Sequence, residues 1–467
     1  MRQTKIVVTI GPSVDSKAQL TDFIQQGVNV FRVNFSHGDS QAIQRSVQLI
    51  RELEVDHKRP IGILADLQGP KVRIGQIAPL SLKSGMRLRL TTKTNVPQDY
   101  LFVDYPNFMA EVKVDQTLLI DDGLIQCRVI DKTDDYVEVE SLSDEILKPR
   151  KGINLMGGGL MAESLTAKDH HDLKIAIKMG VDFIALSFVK SPADVKTLKG
   201  HLERYQSNAK VIAKIECKAA LPVMDQIVQV ADGIMVARGD LALEVGNEQV
   251  PVIQKQLIQM AKQHHKPIII ATQMMESMIH HKRPTRAEVS DVANAVMDGA
   301  DAVMLSAETA VGKFPQEAVA EMRRVCLAAE QSLGVHPLAF QDSALSRVDE
   351  AVVTSTMVCA QQLAAKAIVV LTESGDTPRY MAGYDTRVPV LALSEHSATL
   401  RHMCLLRNVQ PIYCNLSELS EPIHQQVIAQ LTRQKHLSSG DVIILTRGYA
   451  IGVVGQTNSM AIWKVDA

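Results

Sequence analysis

The 467-residue sequence is short of aromatic residues and of net charge. Phe, Trp and Tyr make up only 4% of the chain, and 50 Lys and Arg against 52 Asp and Glu leave a net charge of −2. Without a bulk positive charge, nucleic acid and acidic membrane surfaces are poor candidate partners. The hydrophobic residues, 46% of the chain, therefore have mostly small or branched side chains, as in the parallel sheets of α/β proteins. At roughly 150 residues per domain, the length predicts about three domains.

The six cysteines are scattered, without a Cys-x-x-Cys pair or a histidine at zinc-binding spacing. They are Cys127, Cys217, Cys326, Cys359, Cys404 and Cys414. We expect all of them to be reduced thiols. No apolar run approaches the ~18 residues that span a bilayer, and the N-terminus has neither the apolar core nor the cleavage site of a signal peptide. The sequence thus predicts a cytoplasmic protein that does not bind a membrane.

A Walker A phosphate-binding loop is also absent. Gly312-Lys313 is followed by Phe314, where such a loop has Ser or Thr. If this chain transfers phosphoryl groups, its site must therefore use side chains and a metal ion.

The sequence does contain one pattern eight times, a short apolar run followed by a polar or amphipathic stretch. The runs span residues 5–11, 28–36, 61–67, 181–188, 210–216, 232–240, 267–273 and 301–308. Helices are predicted between or after them at 16–26, 40–57, 168–179, 191–205, 248–265, 285–298 and 315–333. Eight such units favour a closed (β/α)8 TIM barrel over an open doubly wound sheet, which remains the alternative.

Two interruptions of this pattern predict two further domains. Residues 70–166 contain short alternating segments and an Asp-Asp-Gly turn sequence at 121–123, which indicate a small all-β domain. Three glycines at 157–159 near its end favour a flexible joint over a phosphate-binding loop. Strands and helices then alternate again over 336–467, which predicts a C-terminal α/β sheet domain. The barrel would comprise residues 1–69 and 167–335.

In a barrel, functional side chains gather at the carboxyl ends of the strands. The polar residues at the predicted strand ends are Arg32, Asn34, Ser36, His37, Asp66, Lys214, Glu216, Arg238, Asp240, Thr272, Ser306 and Glu308. Because side chains alternate along a strand, Lys214 and Glu216 share one face and point into one site. A structural ion pair is the alternative for these two. For Arg238, an ion pair and a ligand contact are equally open.

Glu216 and Asp240 together can hold one divalent ion. Two carboxylates without a thiol or an imidazole suit Mg²⁺ or Mn²⁺, with water and substrate in the remaining positions. Such an ion favours a substrate that carries phosphate or carboxylate.

Nine segments along the chain point to one family. They are VTIGPS (8–13), VNVFRVNFSHG (28–38), LQGPKVR (67–73), KGINL (151–155), SFVKS (187–191), KIE (214–216), IMVARGDLALE (234–244), ATQMMESM (271–278) and RPTRAEVSDVANAVMDGADAVMLSAET (283–309). Together they resemble the pyruvate kinase family nearly from end to end. The resemblance implies a TIM barrel, a β-barrel lid domain inserted after the third strand, a C-terminal α/β sheet domain for regulation and oligomerisation, and a homotetramer.

The resemblance also implies a reaction, the transfer of the phosphoryl group of phosphoenolpyruvate to ADP, which gives ATP and pyruvate in the last step of glycolysis. Glu216 and Asp240 match the ligands of the divalent ion, Mg²⁺ or Mn²⁺. Lys214 and Arg32 match catalytic residues that stabilise the phosphoryl group during transfer. The substrate phosphoenolpyruvate would be held by Arg32, Lys214, Gly239, Asp240 and Thr272.

Other matches concern the proton path and the nucleotide. Thr272 lies near the protonation path, and Ser306 matches a member of a proton relay. The residues on the nucleotide side, for ADP or ATP, are Asn34, Ser36, His37, Arg73 and Lys151. Because Arg73 and Lys151 lie in the inserted segment, we expect closure of the lid to complete the site and exclude water.

One departure from the family concerns K⁺. Potassium-dependent members have Asp-Thr-Lys-Gly-Pro-Glu where this chain has Asp-Leu-Gln-Gly-Pro-Lys at 66–71. A threonine ligand is lost, and the ammonium of Lys71 replaces a carboxylate, a change of two charge units. We expect Lys71 to substitute for K⁺, which predicts activity without added K⁺. Asn34, Ser36 and Asp66 would then keep structural or nucleotide roles.

A second departure concerns regulation. Members activated by fructose 1,6-bisphosphate often have Thr-Lys-Ser-Gly-x-Ser/Thr, where this chain has Thr-Glu-Ser-Gly-Asp-Thr at 372–377. Thr372, Ser374, Gly375 and Thr377 are kept, but a basic residue has become Glu373. A doubly phosphorylated sugar fits this loop poorly. We expect a sugar monophosphate or AMP, bound at the N-terminus of the following helix.

Two other functions are less consistent with these residues. A metal-dependent aldolase or lyase acting on pyruvate enolates also uses a barrel with paired carboxylates and an arginine, but it has no use for Arg73 and Lys151 on a lid. An inactive barrel with a ligand-sensing C-terminal domain would not need every catalytic residue type to be present.

Overall fold

The structure is a computed structural model that describes residues 2–36, 40–94, 100–160, 163–333, 347–448 and 457–466. The chain begins with three barrel strands and two helices. They are β1 (Lys5–Thr9), α1 (Lys17–Gln25), β2 (Val30–Asn34), α2 (Ser40–Asp56) and β3 (Gly62–Asp66). Every residue of β1 and β3 is buried, as expected for parallel strands covered on both faces.

An all-β unit interrupts the barrel after β3. Its elements are β4 (Leu80–Ser81), β5 (Arg87–Thr91), β6 (Tyr100–Phe102), α3 (Phe108–Glu111), β7 (Thr117–Ile120), β8 (Ile125–Lys132), β9 (Val137–Ser141), β10 (Ile146–Leu147) and β11 (Ile153–Leu155). Six strands form a sheet in the order β11-β7-β8-β9-β5-β6, while β4 pairs with β10.

A short segment at 72–75 joins the two edges of this six-stranded sheet. Arg73 bridges to Gly152 beside β11, and Ile74 bridges to Val103 beside β6. Residues 71–77 are one of the alternating segments from which the sequence predicts strands, but two adjacent residues that pair with opposite edges cannot form a ladder with either edge. The bridges close the sheet in the manner of the predicted β-barrel.

After the inserted unit, the chain completes the (β/α)8 barrel that began with β1. The elements are α4 (Ala167–Lys178), β12 (Phe183–Leu186), α5 (Pro192–Arg204), β13 (Lys210–Ile215), α6 (Met224–Val230), β14 (Gly233–Ala237), α7 (Arg238–Val245), α8 (Val250–Gln263), β15 (Ile268–Ala271), α9 (Arg286–Met297), β16 (Ala302–Leu305), α10 (Ala307–Ala310) and α11 (Pro315–Ser332). Because β16 pairs with β1, the eight parallel strands close in chain order. The TIM barrel prediction is confirmed, and the open sheet is excluded.

The predicted sixth strand is shorter than expected. It ends at Ala237, and helix α7 begins at Arg238. Gly239 and Asp240 therefore lie in the first turn of a helix, where the helix dipole favours a negative charge.

The C-terminal region is a five-stranded sheet with helices. Its elements are α12 (Val348–Gln362), β17 (Ala367–Leu371), α13 (Asp376–Ala382), β18 (Val390–Ser394), α14 (Ser397–His402), β19 (Val409–Tyr413), α15 (Ile423–Arg433), β20 (Val442–Gly448) and β21 (Thr457–Lys464). The order is β19-β18-β17-β20-β21, with β21 antiparallel to its neighbour and the other pairs parallel. The predicted α/β sheet is thus confirmed, whereas the predicted boundary at 335/336 lies outside the described residues.

All six cysteines are free thiols, as predicted. Burial raises the pKa of Cys326 and of Cys404 to about 12, so these two remain protonated and unreactive. Within the part of the chain that the structure describes, no helix combines the length and apolar character needed to cross a membrane.

Candidate active site

Asp66, the last residue of β3, joins two of the predicted catalytic cations. Its Oδ2 lies 2.7 Å from Nη2 of Arg32, and its Oδ1 lies 3.1 Å from Nζ of Lys214. Burial opposes ionisation of Asp66, but Lys214 and Arg32 outweigh burial and hold its pKa below the ordinary value. The carboxylate therefore fixes both cations at the carboxyl end of the barrel.

Lys214 is shared among several partners. Besides Asp66, its Nζ lies 3.0 Å from Oε1 of Glu216 and donates a hydrogen bond of 2.8 Å to Oγ of Ser187. Burial alone would lower the pKa of Lys214, but the two carboxylates raise it above its ordinary value. The ion pair that the sequence left as an alternative is present, within a larger cluster that keeps the ammonium charged.

Glu216 and Asp240 have the character of a cation site. Glu216 is 2% exposed and accepts a hydrogen bond of 2.8 Å from the Phe188 N–H. Burial raises its pKa; Lys214 opposes this, and the carboxylates of Asp240 and Asp66 add to it. A carboxylate whose charge is disfavoured by neighbouring carboxylates fits a divalent ion, and oxygen donors suit Mg²⁺ or Mn²⁺.

Gly239 and Thr272 lie side by side. The Gly239 N–H donates a hydrogen bond of 2.8 Å to Oγ1 of Thr272, whose backbone φ is +65°. Arg238 donates from Nη2 to the Thr272 carbonyl over 2.7 Å, and its Nη1 lies 2.7 Å from Asp291. Of the two alternatives for Arg238, the structure thus favours the ion pair, through which it also positions Thr272.

The remaining strand-end residues lie at the last residue of β2 and in the segments that follow β2 and β16. Oδ1 of Asn34 accepts a hydrogen bond of 3.0 Å from the Ser36 N–H, and Ser306 follows β16. Glu308 accepts hydrogen bonds from the N–H groups of Ser306 and Met275, so this buried carboxylate holds loops together. The predicted nucleotide residue His37 lies outside the described residues.

The two predicted nucleotide residues of the lid contact other lid residues. Nζ of Lys151 lies 2.7 Å from Asp121, and Arg73 donates a hydrogen bond of 3.1 Å to the carbonyl of Arg150. Asp121 belongs to the turn between β7 and β8, the turn that also approaches the barrel.

Lys71 links that turn to the barrel. Its Nζ lies 3.2 Å from Oδ1 of Asp240 and 3.6 Å from Oδ1 of Asp122. Burial disfavours the charge of Lys71, but these carboxylates raise its pKa above the ordinary value. The sequence indicated a role for this cation but did not predict that it would contact a candidate metal ligand.

The predicted effector loop follows β17. Oγ1 of Thr372 accepts a hydrogen bond of 3.0 Å from the Gly375 N–H, and Ser374 donates 2.7 Å to Asp376. Thr377 lies 2.6 Å from Thr457, the first residue of β21. The loop is therefore tied both to itself and to the last strand.

Comparison with known proteins finds relatives over the length of the chain. The family model "Pyruvate kinase, barrel domain" matches residues 1–319, and "Pyruvate kinase, alpha/beta domain" matches 350–463. A pyruvate kinase of Buchnera aphidicola subsp. Baizongia pistaciae is 41% identical, with 99% of each chain covered. One from Thermotoga maritima is 38% identical, with 100% of both covered. A crystal structure of a pyruvate kinase from Cryptosporidium parvum has a TM-score of 0.92 at 35% identity, covering 99% of this chain and 96% of that one.

Proposed function

Because the chain belongs to the pyruvate kinase family and is a phosphotransferase, we propose that it transfers the phosphoryl group of phosphoenolpyruvate to ADP. The observation that carries this proposal is the charged Lys214 ammonium, held between Asp66 and Glu216. A cation already fixed in place stabilises the negative charge that develops on the phosphoryl group and on the enolate without reorganising.

The neighbouring groups divide the other tasks. Glu216 and Asp240 would hold Mg²⁺ or Mn²⁺, which when bound neutralises charge on the phosphates. Arg32, oriented by Asp66, would contact the transferring phosphate. The amide of Gly239 and the hydroxyl of Thr272, which now bond to each other, would exchange that bond for the substrate carboxylate.

The nucleotide and proton steps use groups at the rim of the barrel. Asn34, Ser36 and His37 would face the nucleotide from the barrel. Arg73 and Lys151 would approach it from the lid, which keeps competing water away when it closes. Ser306 would serve the relay that protonates the enolate.

A coupled assay for pyruvate formation, with and without ADP and Mg²⁺, tests the proposal. Pyruvate should form from phosphoenolpyruvate only when both are present, whereas formation without ADP would indicate that the phosphoryl group passes to water instead. Lys214→Met should lose at least ~100-fold in kcat, because removing one preorganised electrostatic group has that effect in other enzymes. Unchanged transfer by a correctly folded Lys214→Met would refute the mechanism.

We also propose that K⁺ is not required. The support is the ammonium of Lys71 beside Asp240, at a position where potassium-dependent relatives carry a glutamate. With tetramethylammonium as the only monovalent cation, the wild type should keep its activity at saturating substrate and Mg²⁺. Lys71→Glu should become K⁺-dependent, while Lys113→Glu, the same change at an exposed lid position, should not. A strong K⁺ requirement in the wild type would refute this.

We further propose activation by a sugar monophosphate or AMP at the effector loop. In the C-terminal sheet the chain runs from β17 outward to β19 and returns to the other side of β17 with β20. Loops at such a switch point are where open α/β sheets bind ligands. The negative charges of Glu373 and Asp376 disfavour a second phosphate. Measuring the reaction rate at limiting phosphoenolpyruvate while either effector is added tests this. An unchanged rate with both effectors would refute the proposal.

A further inference from the structure

A short segment that leads from the lid back into the barrel contacts the loops at three strand ends. We call residues 164–172 the return segment; they follow the glycine joint at 157–159 and include the start of helix α4. We propose that Lys168 in this segment is a positioning residue, which holds the loop after β2 in the shape that binds ADP. The proposal rests on the proposed function, because that function places ADP at this loop.

Lys168 reaches the loop after β2 through a backbone group. Its Nζ donates a hydrogen bond of 2.7 Å to the carbonyl of Phe35. Phe35 lies between Asn34 and Ser36, two of the candidate nucleotide residues, and it is only 2% exposed. The Phe35 N–H donates 3.0 Å to the Asp66 carbonyl. Both backbone polar groups of Phe35 are therefore held, which restricts the directions of the two neighbouring side chains.

A carboxylate on the same helix holds the ammonium of Lys168 in place. Asp172 is 5% exposed and forms an ion pair with Lys168. Residues four apart on a helix lie on the same face, so the carboxylate and the Phe35 carbonyl share the ammonium. A hydrogen bond from a charged donor is stronger than one between neutral groups. Because the ammonium is directed at these two protein oxygens, Lys168 acts on ADP through the loop.

The next residue of the return segment holds the loop after β3. Oδ1 of the buried Asp169 accepts a hydrogen bond of 3.1 Å from the Gly69 N–H, and its Oδ2 accepts 2.6 Å from the hydroxyl of Thr166, which caps α4. The Gly69 carbonyl accepts 3.0 Å from the N–H of Lys71, whose ammonium lies beside Asp240. Two adjacent residues at the start of α4 therefore hold two neighbouring loops.

Ser164, at the beginning of the return segment, contacts the loop after β12. Its hydroxyl donates 3.2 Å to the Phe188 carbonyl, and the Phe188 N–H donates 2.8 Å to the candidate metal ligand Glu216. Because β3 pairs with both β2 and β12, the three loops follow one another around the barrel. The return segment thus contacts one continuous arc of strand ends, on which the nucleotide and metal groups are neighbours.

The contacts of Lys168 separate the nucleotide side of the site from the phosphoenolpyruvate side. Arg32 on β2 is expected to contact the transferring phosphate. It is held by the carboxylate of Asp66 and by Oγ1 of Thr9, to which its Nη1 donates 3.0 Å. These contacts do not involve the return segment. Removing the ammonium of Lys168 should therefore loosen the loop after β2 while the groups that hold phosphoenolpyruvate stay in place.

Steady-state kinetics of Lys168→Met tests the proposal. The KM for ADP should rise about tenfold, equivalent to about 1.4 kcal/mol, because one charge-assisted hydrogen bond to the loop is lost. The kcat at saturating ADP and the KM for phosphoenolpyruvate should stay unchanged. Lys168→Arg keeps a cation with donors and should restore most of the ADP affinity. The matched control is Lys174→Met, the same change at an exposed position of the same helix, which should alter none of these constants.

A purely structural role of Lys168 would affect both substrates. An equal rise in the KM for ADP and in the KM for phosphoenolpyruvate would overturn the proposal, as would the same KM for ADP in Lys168→Met and Lys174→Met. Because Lys168 is exposed, the variant should fold, which circular dichroism verifies.

Calorimetric titration with ADP and Mg²⁺, without phosphoenolpyruvate, separates this role from the proposed function. Wild type and Lys174→Met should bind ADP equally, and Lys168→Met about tenfold more weakly. Equal affinities of all three, in a protein that transfers phosphoryl groups, would remove the positioning role alone. Weaker binding by Lys168→Met, in a protein that does not transfer phosphoryl groups, would remove the proposed function and keep the role. A wild type that does not bind ADP would refute both.

Discussion

The cluster around Asp66 shows which side-chain contacts can be predicted from the sequence and which cannot. Alternation along one strand places Lys214 and Glu216 on the same face, and the structure brings them together. The contacts of Asp66 with Arg32 and Lys214 join three different strands, so they depend on how the barrel closes. No local pattern indicates a partner for Asp66, so the sequence predicts only a structural or nucleotide role for it.

Ser187 is the site residue that the sequence did not reveal. It follows β12, and it both accepts a hydrogen bond from Lys214 and donates 2.7 Å to the Leu67 carbonyl. Its position near the end of the fourth apolar run was the available signal. The structure makes it a positioning residue, because its buried hydroxyl holds the ammonium of Lys214 in place.

Ser187→Ala should lower kcat about tenfold with little change in the KM for phosphoenolpyruvate, because it releases one hydrogen bond of Lys214. The loss corresponds to about 1–1.5 kcal/mol, the usual net value of such a bond. Steady-state kinetics separates kcat from KM. The control is Ser207→Ala, in the loop between α5 and β13. An unaltered kcat in Ser187→Ala would contradict the positioning role.

At the scale of elements, the joint between the lid and the barrel contacts helix α7. Gly158 has a φ of +78°, and a Cβ there would lie 2.9 Å from Oε2 of Glu244. Gly157 has a φ of +85°, and a Cβ there would have no neighbour within 4 Å. The sequence predicted a joint from three glycines, but only the structure distinguishes the glycine that touches the barrel.

This difference yields a matched pair of variants. Gly157→Ala and Gly158→Ala should each lose about 1 kcal/mol from the strained backbone, measured by thermal unfolding. Only Gly158→Ala should press on α7, the helix that carries Asp240, and so weaken Mn²⁺ binding as measured by electron paramagnetic resonance. Equal Mn²⁺ affinities in the two variants would argue against contact between the joint and the metal site.

Helix α14 contributes a pH-dependent contact. Its last residue, His402, lies edge-on to Phe183 with ring centroids 5.8 Å apart, and burial together with Lys210 lowers its pKa to about 4. The unfolded chain therefore takes up a proton at His402 near pH 6.5 while the folded chain does not. The stability from the neutral ring is complete above pH 6.5 and is lost as the pH falls towards 4.

His402→Gln should consequently flatten the dependence of the thermal midpoint on pH between about 6.5 and 4. Asp301 acts in the opposite direction, because burial raises its pKa to about 6, so stability falls as the pH rises from about 4 to 6. The difference between wild type and variant cancels that contribution. Parallel curves for the two proteins would exclude the role of His402.

At the scale of the whole molecule, the contacts between the barrel and the C-terminal sheet were beyond prediction. Arg401 pairs with Glu54 at 2.9 Å, and Nζ of Lys5 donates 2.6 Å to the Val409 carbonyl. These partners are separated by hundreds of residues. Local periodicity states which face of an element is buried, but it does not state which distant element covers that face.

We propose that copies of the chain associate into the homotetramer that the family resemblance implies. Strand β21 forms one edge of the C-terminal sheet, and its Ile462 is 49% exposed. An apolar residue on an exposed edge strand favours association with another chain. The outer edge of β21 is the surface on which this proposal rests.

Ile462→Lys should therefore shift the protein to smaller assemblies in analytical ultracentrifugation, because a charge on an edge strand opposes pairing. Val55→Lys is the matched control, since Val55 is 74% exposed on helix α2 of the barrel. Identical sedimentation of the two variants would show that β21 does not form the interface between subunits.

The stacked pair at the end of the chain gives this protein an intrinsic optical reporter. Trp463 is the only tryptophan, and it lies on β21 parallel to His424, with ring centroids 3.6 Å apart and planes 6° from parallel. All indole fluorescence therefore comes from one environment in the C-terminal sheet. Its emission can be followed in the unlabelled protein. The emission should change when the surroundings of Trp463 in the C-terminal sheet change, and it should not change when only the lid moves.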